Sequence, residues 1–83
     1  EKLPLHRYLK ESFGFPFYYG GNLDALFDEL TSITEQTAVT LRYNDQPRGV
    51  MISYLPKLLR VFEDAARENY NLTVTCVNED RAD

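Results

Sequence analysis

Residues 14–30 read GFPFYYGGNLDALFDEL, and they place a loop rich in aromatic residues and glycine directly before an amphipathic segment. Asn22 is a residue type that caps helix N-termini, and Asp24 follows in the first turn, where the helix dipole favours a carboxylate. Apolar residues then recur at the i, i+3, i+4, i+7 spacing of one buried helix face. The stretch therefore predicts a loop that ends at Asn22 and a helix over residues 23–33.

The segment before this loop carries the same periodicity. Leu5, Tyr8 and Leu9 lie at helical spacing. Pro4 is tolerated in the first turn of a helix, because its missing N–H would have no partner there. We therefore expect a helix over residues 4–12.

A third helix is predicted in the second half of the chain. It is expected over residues 54–68, with Ser53 as its N-cap and Pro56 in its first turn. Residues 50–54 are ambiguous, since a short helical turn also fits them. The buried stripe of this helix is predicted to contain Leu55, Leu58, Leu59, Phe62, Ala65 and Ala66.

Two segments rich in β-branched residues predict strands. TAVTLRY and NLTVTCV give strands over residues 38–43 and 72–77, and the intervening helix favours parallel pairing with a right-handed crossover. The final residues, NEDRAD, are expected to form a polar, frayed tail. The sequence therefore predicts one α/β domain over residues 1–83, with a small parallel sheet covered by helices.

Composition limits the class of protein and the kinds of partner. A formal net charge of −4 speaks against nucleic acid as a direct ligand and is compatible with a basic partner. No apolar run approaches the about 18 residues that a transmembrane helix needs, so no membrane association is expected. The single cysteine, Cys76, cannot form an internal disulfide, which fits a reducing compartment. We therefore expect a cytoplasmic protein.

The residue types that carry catalysis are sparse. His6 lies in the first predicted helix without a nucleophile motif nearby, so we expect a structural or surface histidine. Cys76 lies in a predicted strand, where we expect a buried, inert thiol. No cluster of His, Cys and carboxylates has the spacing of a metal site. Asp24 and Asp28 would act as a general acid and base only in a deep cleft, for which a chain of 83 residues has little room. We therefore expect a protein that is not an enzyme, without catalytic residues, metal or cofactor.

Asp24 and Asp28 lie on one side of the second predicted helix, about 40° apart. Such a pair of like charges is usually a solvated polar face. Three features favour a binding surface instead. Phe27 borders the carboxylates, and Tyr18 and Tyr19 supply contact area at low entropic cost. Gly20 and Gly21 let a partner approach the backbone. Both interpretations remain open at this point.

A second acidic pair, Asp64 and Glu68, recurs at the same spacing in the last predicted helix, with Lys57 and Arg60 nearby. A charged solvent face is the ordinary interpretation of this pair. If the helices pack side by side, the two acidic pairs would form one rim around the tyrosine loop. A basic nuclease cleft would accept such a rim, because carboxylates can take the place of the phosphates that it binds.

Two blocks of the sequence resemble the barstar family of ribonuclease inhibitors. The first is FGFPFYYGGNLDALFDELTSI at residues 13–33, which follows a helix that contains the pair Leu5 and His6. The second, weaker block is LLRVFEDAARENYNLTVTCV at residues 58–77. The resemblance extends over residues 3–77 and implies a cytoplasmic inhibitor that blocks the active site of a small, basic, extracellular bacterial ribonuclease with an acidic helix and a tyrosine loop.

The resemblance also implies roles for single residues. Asp28 matches the central carboxylate, which occupies the phosphate site and pairs with Arg and His of the nuclease. Asp24 matches its neighbour at the rim. Tyr18 is expected to cover the catalytic histidine of the partner, and Gly20 and Asn22 to make backbone or amide contacts.

Several positions depart from the family pattern. Phe27 stands where the family usually has Trp, and Asp64 stands where the longer Glu is usual, whereas Glu68 fits a peripheral contact. The family's first strand has no counterpart in the sequence, which begins at the first helix. An open sheet edge would follow, and dimerisation through it is expected as a risk. The departures imply a cognate nuclease that differs from barnase in detail.

Two alternatives stand beside inhibition of a ribonuclease. The protein would be an immunity protein for a different toxin if its gene lay beside one for another secreted basic toxin. The third possibility is an interaction module without inhibitory function, for which Asp28→Ala would leave partner binding unchanged. An inhibitor would instead lose several kcal/mol of binding free energy, at least about 2 kcal/mol, because Asp28 would be a buried charged hot spot.

Overall fold

The computed structural model describes residues 2–44 and 46–81 of the chain, and in it helices cover a small sheet. The elements are α1 (Lys2–Phe13), α2 (Leu23–Thr31), β1 (Thr37–Tyr43), α3 (Met51–Glu68), β2 (Leu72–Asn78) and a 3-10 turn (Glu79–Arg81). This order confirms the predicted α/β class. No helix in this part of the chain has the length and apolar character to cross a membrane.

The two strands form a parallel sheet, as predicted. β1 and β2 run in register from Thr37 opposite Leu72 to Tyr43 opposite Asn78, and α3 supplies the crossover between them. Along β1, partly buried and exposed residues alternate, because one face of the sheet packs on the helices. The sheet therefore serves as the base on which α2 and α3 are held.

The helix α2 begins where the sequence predicts and ends two residues before the predicted position 33. The side-chain oxygen of Asn22 accepts a hydrogen bond from the backbone N–H of Ala25 at 2.8 Å, which confirms Asn22 as the cap. At the other end, the buried amide of Asn69 donates to the carbonyls of Leu30 (3.0 Å) and Ile33 (2.9 Å). These two hydrogen bonds satisfy carbonyl groups at and just after the end of α2, so the helix can end without a further turn.

The helix α3 begins three residues earlier than predicted, at Met51. Ser53 is therefore an exposed residue inside the helix and not its cap, and Pro56 lies in the helix interior instead of the first turn. Gly49 makes the early start feasible, because its φ of +59° forms a tight turn from which the helix continues. Pro56 leaves the carbonyl of Ile52 without its helical donor, and Ile52 is 64% exposed.

The buried face of α1 includes a polar residue. Leu9 and His6 are buried, whereas Tyr8, which shares the helical spacing of Leu5 and Leu9, is 66% exposed. Burial of His6 is tolerated because both of its ring nitrogens have hydrogen-bond partners inside the protein. The helix is thus oriented by a polar residue together with its leucines.

One hydrophobic core joins all three helices to the sheet. It consists of Leu9, Leu26, Leu30, Leu58, Phe62, Ala65 and Leu72. Phe62, Leu26 and Leu30 are completely enclosed, so α2 is held firmly against α3. The structure confirms the centre of the buried stripe predicted for α3, at Leu58, Phe62 and Ala65. Tyr54 is also buried, and the prediction omitted it. Because α2 buries one face here, its opposite face is presented to solvent.

The end of the chain is more ordered than expected. The predicted frayed tail begins at Asn78, but this residue closes β2, and a 3-10 turn follows it over Glu79–Arg81. The backbone N–H of Asp80 donates to the side chain of Asn78 at 3.0 Å and stabilises this turn. Residues 82–83 of the predicted tail lie outside the described residues.

Candidate functional site

The outer face of α2 carries two exposed carboxylates, Asp24 and Asp28, one helical turn apart. Among the side chains that the structure describes, in residues 2–44 and 46–80, no Lys or Arg forms an ion pair with either of them. The opposite side of the same helix is fixed in the core by Leu26 and Leu30. The two carboxylates are therefore displayed on a rigid support and are available to an external cation.

The loop before α2 presents two more exposed side chains. Phe17 is 88% exposed and Tyr18 is 71% exposed, and their rings meet edge to face with centroids 5.6 Å apart. Large apolar groups exposed together in this way are typical of interaction surfaces. The sequence analysis named Tyr18 and missed Phe17. The number of aromatic residues in the loop was an available signal, since the small core beneath it cannot hold them all.

The inner aromatic residues hold this loop in place. Phe15 stacks on Phe13 with ring centroids 5.2 Å apart, and it contacts the ring of Tyr19 at 4.9 Å. The backbone N–H of Tyr19 donates to the carbonyl of Pro16 at 3.0 Å, which closes a turn. Because Phe15 and Tyr19 pack inward, Phe17 between them is directed outward.

A buried histidine connects the loop to two helices. His6 is 2% exposed; its Nδ1 lies 2.6 Å from the hydroxyl of Tyr19 and its Nε2 lies 2.6 Å from the hydroxyl of Tyr54. Burial lowers the pKa of His6, and the charge of Lys2 lowers it further. The pKa of Tyr19 is raised to about 12 by burial and then by its neighbours. The imidazole is therefore neutral at pH 7, and Tyr19, which the sequence analysis named for a binding surface, is turned inward to it.

The glycines and the cap complete the junction between loop and helix. Gly21 has a φ of +69° and so needs to be glycine, whereas at Gly20 a Cβ would lie 3.2 Å from the amide nitrogen of Asn22. Gly20 is exposed, so its bare backbone can be approached closely. The side-chain oxygen of Asn22 is already engaged as the cap, which leaves its other groups for external contacts.

Phe27 lies between the two acidic residues in sequence, but its ring is only half exposed. It packs against the core cluster from the edge of α2. A side chain in this position supports the helix and presents its outer rim to solvent. Phe27 is thus placed beside Asp24 and Asp28 as expected, with part of its area already used internally.

The acidic residues of α3 are in a different environment. Asp24 and Asp64 line one open depression of about 400 Å³ between α2 and α3. Its lining is Leu23, Asp24, Pro56, Lys57, Arg60, Val61 and Asp64. Asp64 forms an ion pair with Arg67 of its own helix, and Glu68 is exposed but does not line the depression. The structure therefore brings Asp64 beside the α2 carboxylates and leaves Glu68 farther along α3.

The remaining reactive groups give no sign of catalysis. The thiol of Cys76 is half-buried, 4.0 Å from a carboxylate oxygen of Glu63, and burial raises its pKa, with a further contribution from that charge. A thiol with a raised pKa is a poor nucleophile at neutral pH. In the described part of the chain, no three His, Cys, Asp or Glu side chains cluster as metal ligands do.

Comparison with known proteins gives two findings. The family model described as Barstar (barnase inhibitor) matches residues 1–79. The protein named "Putative ribonuclease inhibitor YrdF" of Bacillus subtilis (strain 168) is 37% identical over 65 residues, which are 77% of this chain and 71% of that protein. The match spans α1, the aromatic loop, α2, β1, α3 and β2. The chain therefore belongs to the barstar family.

Proposed function

We propose that this protein inhibits a small bacterial ribonuclease by inserting the outer face of α2 and the adjoining aromatic loop into its active site. Family membership and the name of the Bacillus subtilis relative support a role of the barnase-inhibitor type. The observation that carries the proposal is the pair Asp24 and Asp28: both are exposed, one turn apart and without a cationic partner in the described chain, beside the exposed Tyr18.

The chemistry of the proposed complex is phosphate mimicry. A ribonuclease cleft is basic because it holds the phosphates of RNA, and carboxylate oxygens offer its Arg and His side chains the same charge-assisted hydrogen bonds. In this arrangement Asp28 occupies the phosphate site and Asp24 pairs with basic residues at the rim. Among the described residues neither carboxylate is held in an internal ion pair, so no such pair has to be broken on binding.

The aromatic loop supplies contact area next to these charges. Tyr18 covers the catalytic histidine of the nuclease, while Gly20 and Asn22 contribute backbone and amide groups. Tyrosine suits this role because its large ring has few rotatable bonds to immobilise. Phe27 adds the exposed rim of its ring, a smaller contribution than a fully exposed aromatic residue would make.

The acidic residues of α3 contribute at the edge of the proposed interface. Asp64 lies beside Asp24 in the same depression but is paired with Arg67, so its contact with a nuclease requires exchange of one ion pair for another. Exposed pairs are worth about 0–1 kcal/mol, and such an exchange gains little. Glu68 acts through its charge at longer range.

The same proposal covers the cellular role. The partner is a basic ribonuclease that the cell secretes, and the inhibitor stays in the cytoplasm, where it protects the producing cell. In this role the protein acts by binding and is not an enzyme. It engages neither nucleic acid nor membrane directly, in keeping with its net charge of −4.

Titration against a panel of small basic bacterial ribonucleases tests this function. We expect stoichiometric loss of activity for at least one nuclease, with Asp28→Asn much weaker than the wild type. Glu63→Gln is a matched control, because Glu63 is an exposed carboxylate on α3 that lies beside Cys76 of β2 and not beside α2. Full nuclease activity across the panel at a large molar excess of inhibitor would contradict the proposal.

Immunity to a different toxin is the second candidate, and the environments of Phe27 and Asp64 favour keeping it. Phe27 is half-buried and Asp64 is paired internally, so two positions that would select a partner have little free area or charge. A nuclease toxin of another class, such as a DNase, added to the same panel distinguishes the two functions. Inhibition of that toxin alone would select the immunity role.

Self-association through a sheet edge stays a prediction. In the described part of the chain the sheet has two strands, so β1 and β2 each pair along one edge. Unpaired N–H and C=O groups at an open edge invite another strand. A molecular mass that rises with concentration in sedimentation would support dimerisation, and a monomer mass at every concentration would contradict it.

A further inference from the structure

One hydrogen-bond chain connects three segments that are distant in sequence. His6 of α1 lies at the centre, between Tyr19, which is 13 positions away, and Tyr54 of α3, which is 48 positions away. Both distances are 2.6 Å, and the rings of both tyrosines also contact the imidazole, with centroids 5.8 Å and 5.9 Å from it. Tyr19 is the residue between Tyr18 and Gly20 of the proposed interface.

We propose that His6 is a positioning residue for binding: its hydrogen bond to Tyr19 holds residues 18–20 in the conformation that meets the nuclease, and protonation of His6 loosens them. This inference rests on the proposed function for its effect on binding. Its structural part, control of the loop by His6, concerns the free protein and can be tested without a nuclease.

The position of Tyr19 explains why its anchoring matters. Its side chain points inward to His6, whereas the neighbouring Tyr18 is 71% exposed, so the inward anchor sets the outward direction of Tyr18. Few other polar contacts hold this segment. They are the turn between Tyr19 and Pro16 and a bond of 3.3 Å from Lys10 Nζ to the carbonyl of Phe17. A pre-ordered loop binds more tightly, because less entropy is lost on association.

The neutral imidazole matches its two neighbours. It has one N–H donor and one bare nitrogen, so it donates to one tyrosine hydroxyl and accepts from the other. The imidazolium has two donors and no acceptor, so the hydroxyl that donated to it must turn its hydrogen elsewhere. Burial keeps the phenols of Tyr19 and Tyr54 protonated, because it raises the pKa of both. Protonation of His6 therefore reverses one of the two bonds, because that hydroxyl oxygen then accepts from the new N–H. It also encloses a cation, and opening of residues 19–21, which line the depression next to His6, relieves that burial.

The surrounding charges also oppose protonation. From α1, Lys2 lies over the ring of Tyr54 at 4.9 Å, and Arg7 and Lys10 line the same shallow depression as His6. From α2, Glu29 acts on Tyr19. From the loop and from α3, the facing titratable groups are the two phenols, which are uncharged. Of these charges, Lys2 lowers the pKa of His6, and Glu29 contributes to the raised pKa of Tyr19.

The sign of the pH effect follows from the lowered pKa of His6. Burial is the larger cause of this shift and Lys2 the smaller. Between the ordinary value of 6.5 and the lower folded value, the unfolded chain binds the proton more readily than the folded chain. The contribution of His6 to folding stability is therefore fully present above the ordinary value and is lost as the pH falls towards the folded pKa. The loop is loosened only when the folded protein itself takes up the proton, as the pH falls through the lower, folded pKa of His6.

Two matched variants test the proposal. Tyr19→Phe and Tyr54→Phe each keep the aromatic ring and remove one hydroxyl from the same imidazole. We expect similar losses of thermal stability, because each removes one buried hydrogen bond. We expect Tyr19→Phe to weaken nuclease affinity about three- to tenfold, and Tyr54→Phe to weaken it less than about twofold, since only Tyr19 belongs to the loop. Equal effects of both variants on affinity would overturn the positioning role.

The pH dependence of nuclease affinity is a readout that a purely structural hydrogen bond would leave unchanged. The ratio of wild-type to Tyr19→Phe affinity, measured with one nuclease between about pH 8 and about pH 5, cancels the titration of the nuclease itself. We expect this ratio to fall towards one as His6 gains its proton. A ratio that stays constant over the range would contradict the proposal.

Amide hydrogen exchange of Gly20 and Gly21 in the free protein separates this inference from the proposed function. We expect faster exchange in Tyr19→Phe than in the wild type, and little change in Tyr54→Phe. If no nuclease is inhibited, the proposed function fails while the exchange rates still decide the role of His6. If a nuclease is inhibited and the exchange rates of all three proteins agree, the His6 inference alone fails.

Discussion

The helices α2 and α3 carry the same acidic pattern but display it differently. Asp24 and Asp28 of α2 are four residues apart, as are Asp64 and Glu68 of α3. On α2 both carboxylates face solvent without a cationic partner among the described residues, whereas Asp64 is paired with Arg67. The comparison teaches that spacing places charges on a face, and that the neighbouring cations decide whether a partner can use them.

The largest expected effect is on affinity at Asp28. Asp28→Ala should weaken nuclease binding by at least about 2 kcal/mol, which is about 30-fold, because a desolvated central charge is a hot spot. Asp64→Ala should cost less than about 1 kcal/mol, since its charge is already offset by Arg67. Inhibition constants for the two variants measure the difference. Losses of equal size would contradict the contrast between the helices.

The next effect concerns the aromatic loop beside α2. Phe17→Ser should weaken binding by about 1 kcal/mol, because it removes exposed apolar area that the nuclease would cover. Tyr70→Ser is the matched control: Phe17 and Tyr70 are each 88% exposed, but Tyr70 lies between α3 and β2. Calorimetric titration of both variants checks this prediction, and an equal loss for both would exclude Phe17 from the interface.

A smaller effect is expected from Arg67. Arg67→Ala frees Asp64 and makes the protein more acidic, so association with a basic nuclease should become about twofold faster at low salt. Stopped-flow kinetics at increasing salt provide the control, because the gain should disappear as the charges are screened. Slower association of this variant would show that Arg67 itself contacts the partner.

The smallest effects are on folding stability, and they should differ in sign. Asp28→Asn relieves repulsion with Asp24 and removes a negative charge from the second half of α2, so it should stabilise the protein by about 0.3 kcal/mol. Asp64→Asn loses the pair with Arg67 and should destabilise it by about 0.3 kcal/mol. Thermal unfolding in low salt measures both, and changes of the same sign would remove the electrostatic distinction.

Much of the fold follows from local sequence signals. Asn22 before an apolar repeat locates the start of α2, and β-branched runs on either side of a long helix give a parallel pair of strands. These signals act within a few residues, so the sequence alone carries them. The exposed positions of Asp24 and Asp28 follow in the same way, from the helical period.

Other features depend on contacts between distant residues. His6 can be buried because Tyr19 and Tyr54 form hydrogen bonds with its ring nitrogens, and no local sequence pattern predicts those bonds. The early end of α2 depends on Asn69, which lies on another helix terminus. The early start of α3 places Pro56 inside a helix, against the usual preference, because the exposed surface there tolerates the lost hydrogen bond.

The residues of the candidate site also differ in whether local sequence signals predict them. Asp24, Asp28 and Tyr18 were predictable because they belong to one continuous block. The depression shared by Asp24 and Asp64 was expected only if α2 and α3 packed side by side, and the enclosed core residues bring about that packing. Phe17 was missed because the loop's alternation of inward and outward rings depends on the stacking of Phe15.

Competition with a nucleotide tests the central claim of phosphate mimicry most directly. The measurement is the affinity of the inhibitor for an inhibited ribonuclease at increasing concentrations of a 3′-nucleotide that fills the phosphate site. The account predicts strict competition: the apparent association constant of the inhibitor should be proportional to the fraction of nuclease that is free of nucleotide. A ternary complex in which nucleotide and inhibitor bind together without mutual loss would contradict the account.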